Sequence, residues 1–172
     1  TLANAVAITG TSTVDTNATT LTLSGVVSGS GTLTKTDSGT LSLTGANTYT
    51  GGTNLTAGTI KVGSNTALGN GGALAMADGT TLETGAASVT LANAVGITGT
   101  GTVDTNTGNT LTLSGVVSGG ALTKTDTGTL VLSGANTYTG GTSLTGGTIQ
   151  VGSNTALGNG ALTMASGTTL DA

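Results

Sequence analysis

The segment Leu2-Ala3-Asn4-Ala5-Val6 returns as Leu91-Ala92-Asn93-Ala94-Val95, an offset of 89 residues. Gly45-Ala46-Asn47-Thr48-Tyr49-Thr50-Gly51-Gly52-Thr53 returns unchanged from Gly134 to Thr142, and Val62 to Gly71 returns from Val151 to Gly160. Small insertions and deletions move the offset to 90 at Leu21/Leu111 and to 88 at Leu74/Leu162. They fall in Gly, Asn and Thr stretches, where loops tolerate length changes. Roughly four in five aligned positions are identical. Long self-similarity of this kind predicts a stacked architecture in which each copy continues the core of the last. The expected organisation is a single segment over residues 1–172 built of two units, about 1–88 and 89–172.

A shorter rhythm runs inside each unit. Apolar residues two apart occur at Leu21/Leu23, Leu41/Leu43, Ile60/Val62, Leu111/Leu113, Leu130/Leu132 and Ile149/Val151. A spacing of two is the signature of a strand, whose alternate side chains point to opposite faces. The pairs recur mostly every 19 or 20 residues. A second track runs through Val14, Leu33, Leu55 and Leu74, and again through Val103, Leu122, Leu144 and Leu162. This pattern predicts an all-β parallel β-helix, a β-solenoid with about five coils per unit and nine or ten in all. At one strand separation per coil the rod would be roughly 45 Å long. Leu82 to Leu111 fits only shorter coils and is expected to show a local irregularity or a narrowed cross-section.

Composition explains why no other fold is available. The 172 residues include 43 Thr and 32 Gly, with no Cys, His, Pro, Trp, Phe or Arg and two Tyr. Without large aromatic residues a thick core cannot be filled. Ladders of Leu, Val and Ile can fill a narrow one, each burial being worth about 1.5–3 kcal/mol. Thr suits strands and Gly suits corners. Asn47, Asn65, Asn136 and Asn154 are candidates for stacked amide ladders at the turns. The missing Cys and His remove thiol and imidazole chemistry and the metal sites built on them. Three Lys against seven acids give a net charge of −4, which speaks against nucleic acid or anionic membrane as partner. The absence of Met or a basic stretch at the start suggests a piece excised from a longer protein.

The stretch Gly31 to Thr53 reads Gly-Thr-Leu-Thr-Lys-Thr-Asp-Ser-Gly-Thr-Leu-Ser-Leu-Thr-Gly-Ala-Asn-Thr-Tyr-Thr-Gly-Gly-Thr. It and its copy, Gly120 to Thr142, resemble the autotransporter passenger-associated β-strand repeat. The likeness continues through Ala57-Gly58-Thr59-Ile60 and Gly147-Thr148-Ile149. The leader Val103-Asp104-Thr105-Asn106 before Leu111-Thr112-Leu113-Ser114-Gly115 resembles the family's as well. Asp37 and Asp126 depart from it, since the family more often has Gly there. The resemblance implies a right-handed helix within a large secreted passenger of Gram-negative bacteria. It also implies an extracellular or cell-surface location and an outer-membrane translocator barrel as partner during secretion.

Candidate sites were weighed against plainer readings. Enzymes built on β-helices need clustered acids. Asp15/Asp104 and Asp37/Asp126 are repeat copies too far apart to meet, and Asp78 with Glu83 reads as a solvated turn. Asp15-Thr16-Asn17 and Asp104-Thr105-Asn106 offer oxygen ligands for calcium, but the aspartate-rich nonapeptide repeat of calcium-binding β-rolls is missing and they read as Asx-capped turns. Lys35/Asp37 and Lys124/Asp126 read as weak surface ion pairs. Tyr49 and Tyr138 read as corner packing with the hydroxyl in solvent. Gly51-Gly52 and Gly140-Gly141 lack the Lys and helix of a phosphate loop. Thr32/Thr34/Thr36 and Thr123/Thr125/Thr127 could order water, though without a regular array between coils. No catalytic, cofactor or metal residue is therefore expected, and no small-molecule substrate. The expected role is a non-enzymatic stalk, adhesin or fibre segment, with a glycan, receptor or ice-binding face as the alternative. Its expected partners are end-to-end copies of itself or further repeats.

Overall fold

The computed structural model describes residues 1–172. Nineteen short strands and no helix make up the chain, and every strand pairing is parallel. Parallel pairing between segments about 20 residues apart requires the chain to circle back one level higher each time. The result is a β-solenoid of about eight coils with three faces.

The third face shows the stacking most plainly. Thr20–Leu23, Thr40–Leu43, Thr59–Val62 and Thr81–Thr84 lie in successive coils. Residues 102–104, 122–125, 142–144 and 162–164 continue the same column. Its inward ladder is Leu21, Leu41, Ile60, Leu82, Val103, Lys124, Leu144 and Met164. The second face stacks Thr11–Asp15, Thr32–Thr36, Thr53–Leu55 and Leu74–Met76, then residues 95–97 and 117–119. The first face begins with Val6–Ala7 on Val27–Ser28 and ends with Ser88–Leu91, Thr110–Leu113, Thr129–Leu132, Thr148–Val151 and Thr169–Asp171. Thirty buried residues form one apolar column inside.

The coil count corrects the expected nine or ten. Spacing of 19 holds only inside the best-conserved stretch of each unit, whereas the pairings Leu74/Val95, Leu82/Val103 and Val89/Leu111 span 21 or 22 residues. The expected narrowing between Leu82 and Leu111 is corrected for the same reason. Leu82, Val89, Leu91 and Leu111 are fully buried, so the section does not narrow, but the expected irregularity is present as a register shift between Ile97 and Thr100 where residues 95–104 pair with residues 117–125.

What changes there is the face. Leu2, Leu23, Leu43, Val62 and Thr84 share the third face. Leu91, the copy of Leu2, lies on the first face beneath Leu113, where its strand follows the turn holding Asn65 and Leu68. One unit therefore occupies four coils and a third. Matched residues of the two units point in directions one face apart.

Each unit also contains a stretch without strands. In the first unit it comprises residues 44–52 and 63–73 on the first face; in the second it comprises residues 133–141 and 152–161 on the second face. Tyr49 and Tyr138 fill the interior at these places and have no exposed surface. Gly69 closes the turn beside Tyr49 with φ of 73°, and a Cβ there would stand 2.2 Å from the Tyr49 carbonyl oxygen. Only Gly fits that combination of handedness and closeness.

Candidate functional site

The most unusual chemistry lies inside the rod. Lys35 sits in register with Val14 and Leu55, so its side chain points inward, and it is wholly buried. Its ammonium donates to the carbonyl oxygens of Thr36, Asp37 and Ala57 at 2.5, 2.6 and 3.3 Å. Lys124 repeats this with Thr125, Asp126 and Gly146 at 2.6, 2.8 and 3.2 Å. Each lysine thus supplies donors to three carbonyls turned inward at a corner, of which that of Thr125 also accepts from Thr105 N–H at 3.4 Å. Burial pushes the Lys124 ammonium down to about 8, opposed by Asp104 and Asp126. Burial lowers Lys35 in the same direction. These lysines are not the surface ion pairs expected from sequence. The chain turns at Asp37 and Asp126, whose φ values are 65° and 59°, and this aims their carboxylates at the following N–H groups, at 2.7 Å. Positive φ at both positions is a conformation that Gly would adopt without strain.

The asparagines act singly rather than as amide ladders. Val27 N–H donates to Asn47 Oδ1 at 2.8 Å, and Asn47 Nδ2 donates to the Ala67 carbonyl at 2.7 Å. Asn136 joins Val117 to Ala156 in the same way, at 2.8 and 2.6 Å. Each buried amide thus pins the backbone of the coil before to that of the coil after. Asn65 instead accepts from Thr90 N–H at 2.9 Å at the join between units. Both tyrosine hydroxyls are buried, correcting their expected exposure. They pair with the hydroxyls of Thr53 and Thr142 at 2.6 and 2.7 Å. Burial pushes the Tyr49 phenol up to about 12, and raises Tyr138 likewise, with the threonine hydrogen bond opposing in each case.

The carboxylates are dispersed. Asp78 accepts from Thr100 N–H at 2.7 Å, and Asp15 accepts from Asn17 N–H at 3.0 Å as an Asx turn. Glu83 forms an ion pair with Lys61 at 2.6 Å and accepts from Asn106 Nδ2 at 2.9 Å. The structure sets Glu83 in register with Asp104 on the next coil, a pairing visible in the sequence only through their separation of 21 residues. Burial, then Asp126 and Glu83, push the Asp104 carboxyl up against the pull of Lys124 and Lys61. Neither acid lines any of the three surface hollows. No three Asp or Glu side chains are grouped to hold a metal ion. The largest hollow, about 320 Å³, is lined by Thr, Gly, Ala, Ser and Leu and has no ionisable group. The glycine pairs serve close stacking: a Cβ on Gly51 would stand 2.5 Å from the Gly31 carbonyl.

One surface feature is more regular than the sequence suggested. Thr20, Thr40, Thr59, Thr81, Thr102, Thr123, Ser143 and Thr163 form an unbroken column of hydroxyls on the third face. The neighbouring column is Thr22, Ser42, Lys61, Glu83, Asp104 and Thr125, whose charges interrupt any two-rank hydroxyl surface.

Residues 33–62 and 122–151 both match the Passenger-associated-transport-repeat family. These spans hold both buried lysines, both pinning asparagines and both tyrosines. The chain carries the autotransporter passenger-associated repeat, twice. The passenger repeats thus coincide with the parts of each unit whose polar residues are turned inward. Over 119 residues, 68% of this chain, the sequence is 44% identical to the adhesin BmaC autotransporter of Brucella suis biovar 1 (strain 1330). The match spans 4% of that adhesin's length. No solved structure matches the chain.

Proposed function

We propose that this chain is a non-enzymatic spacer of an exported bacterial surface protein, a continuous solenoid segment of two units that sets the length of a passenger stalk. One observation carries the reading. The distinctive polar residues of the passenger repeat, Lys35, Asn47, Tyr49 and their copies, are buried and hydrogen-bonded inside the rod instead of facing a ligand. The likeness to an autotransporter adhesin supports export through an outer-membrane barrel, display outside the cell and a role within an adhesive protein. Its partners are then further coils, supplied by more repeats or by a second copy stacked on an end. The test is a soluble 172-residue segment applied to a glycan array and to host cells. The expected outcome is no saturable binding, together with a rod that shortens by about 21 Å in solution scattering when one unit is deleted. Saturable binding abolished by substituting residues on one face would replace the spacer with an adhesive face.

A further inference from the structure

Of the twelve asparagines only Asn70 and Asn159 precede a glycine, and they are copies on the turn that closes beside each tyrosine. An asparagine followed by glycine carries its own nucleophile. The backbone nitrogen of the glycine can attack the side-chain carbonyl carbon, because no Cβ on the next residue stands in the way. Both asparagines are exposed, and neither the side-chain amide nor the following N–H makes a hydrogen bond. The two glycines differ. Gly72 and Gly160 are the equivalent residues: a Cβ on Gly72 would stand 2.3 Å from Gly52 N, and one on Gly160 would stand 2.2 Å from Gly141 N. Gly71 is therefore the residue that the second unit lacks. It has φ of 90°, and a Cβ on it would meet nothing within 4 Å. Asn70 and Gly71 also border an open hollow of about 190 Å³ that no ionisable side chain lines, which gives the amide room to turn and water access to it.

We propose that Asn70 is a site of spontaneous covalent modification, converting through a cyclic imide to aspartate and β-linked aspartate, whereas the packing of Gly160 on Gly141 protects Asn159. The Gly71 nitrogen bonds to Asn70 Cγ, the Cγ–Nδ2 bond breaks, and the proton of the Gly71 N–H passes through water to the departing ammonia. Water then opens the ring. Attack at Cγ restores an ordinary aspartate, and attack at the main-chain carbonyl leaves the peptide running through Cγ. The sum is asparagine plus water giving aspartate plus ammonia, with no oxidant or reductant. Ring closure requires the nitrogen to come within about 3–3.5 Å of Cγ. Rotation about the Asn70–Gly71 link meets no neighbour, but at Asn159 it must carry Gly160 off the Gly141 backbone. The product takes a chain of net charge −4 one step more negative and sets a carboxylate at the join between units, beside Asn65 and Asn93. The β-linked form also lengthens the turn by one backbone atom. That atom enters between Asn70 N–H, which donates to the Tyr49 carbonyl at 2.9 Å, and the Gly72 carbonyl, which accepts from Asn93 Nδ2 at 2.7 Å. Loss of ammonia makes the change one-way. Nothing in this chemistry depends on the chain being a spacer.

The test incubates the folded 172-residue chain at pH 7.5 and 37 °C and follows its tryptic peptides by mass spectrometry. Cleavage at lysine puts Asn70 in residues 62–124 and Asn159 in residues 125–172. The first peptide should gain the mass of the amide-to-acid change roughly tenfold faster than the second, equivalent to about 1.4 kcal/mol of barrier. Denaturant should bring the two rates together, since the unfolded turns differ only by one glycine. Asn70→Gln should abolish the gain in residues 62–124. Deletion of Gly71, which gives the first unit the loop of the second, should slow conversion to the rate of Asn159. Two products of equal mass, separable by chromatography, mark the imide route. Equal rates in the folded chain, no conversion at either site, or a gain that survives Asn70→Gln would overturn the proposal. A single aspartate product would overturn the imide route. Undiminished conversion after deletion of Gly71 would overturn the part given to the extra glycine.

Discussion

Leu74, Met76 and Leu82 of the first unit are buried to within 1%, whereas Met164 and Leu170 of the second are more than 40% exposed. Met76 and Met164 are copies within closely similar strands, as are Leu82 and Leu170, so sequence does not separate them. The difference is the coil above. Residues 95–104 cover the first set, whereas the second belongs to the last coil of the described residues. Cohesion in this rod therefore belongs to pairs of neighbouring coils rather than to a unit, as expected for a quasi-one-dimensional array. The same residue is worth more in the middle than at the edge.

The largest expected effect tests that statement directly. Asn47→Ala removes both bonds that pin Val27 to Ala67 and should cost about 2–4 kcal/mol, since two buried backbone groups lose their partners. Asn136→Ala should cost less, because the coils beyond Ala156 are exposed and can fray without the rest of the rod. Urea unfolding of both variants measures the gap, and equal losses would break the comparison.

The lysines separate the units by pH. A lysine whose folded value lies near 8 binds fewer protons than in the unfolded chain between there and its ordinary 10.5. Lys124 thus adds stability as pH rises from about 8. Tyr49, raised to about 12, works in the opposite direction, because the unfolded phenol ionises first, near 10. The melting temperature should climb from pH 8 towards 10 and fall above it. Lys124→Met should flatten the climb more than Lys35→Met does.

Lys61→Gln, which gives the first unit the second unit's residue, should cost under about 1 kcal/mol, since the pair it breaks is part-exposed. The loss should shrink at high salt in thermal melts. The smallest effect is a gain. The turn at residues 16–19 is one residue shorter than its copy and places Ala18 at φ of 60°, whereas the copy has Gly108 at 78°. Ala18→Gly should stabilise the first unit by about 0.5–1 kcal/mol in the same melts, the relief of a left-handed alanine outweighing glycine's entropy.

The aliphatic ladders were legible in the sequence because spacing two marks a strand and Leu, Ile and Val mark its inner side. The buried lysines were not. Leu33 and Leu55 look like one column, but the structure pairs Leu33 with Thr53 and Lys35 with Leu55, a slip of two residues that leaves every apolar residue facing inward. Apolar pattern alone cannot detect such a slip, since both registers keep the same face buried. Asn47 and Asn136 were identified as the right residues with the wrong partners, because stacked amides require copies in adjacent coils and these are four coils apart. The threonine column escaped notice because it passes from one part of the first unit to a different part of the second.

That change of face has a mechanical consequence. The strand-free stretch beside Tyr49 is held to its neighbours by separate bonds, Thr48 N–H to Val27, Thr50 N–H to Gly29 and Asn70 N–H to Tyr49, rather than by a strand ladder, and the rod is expected to flex most easily in that direction. In the first unit that hinge line runs along one face; beside Tyr138 it has moved to the next. Were each unit a whole number of coils, the compliant seams would align and the rod would fold along them like a crease. With the extra third of a coil, each soft wall is followed by a stiff one, and bending stiffness evens out around the axis. A shaft built this way resists shear from every side alike.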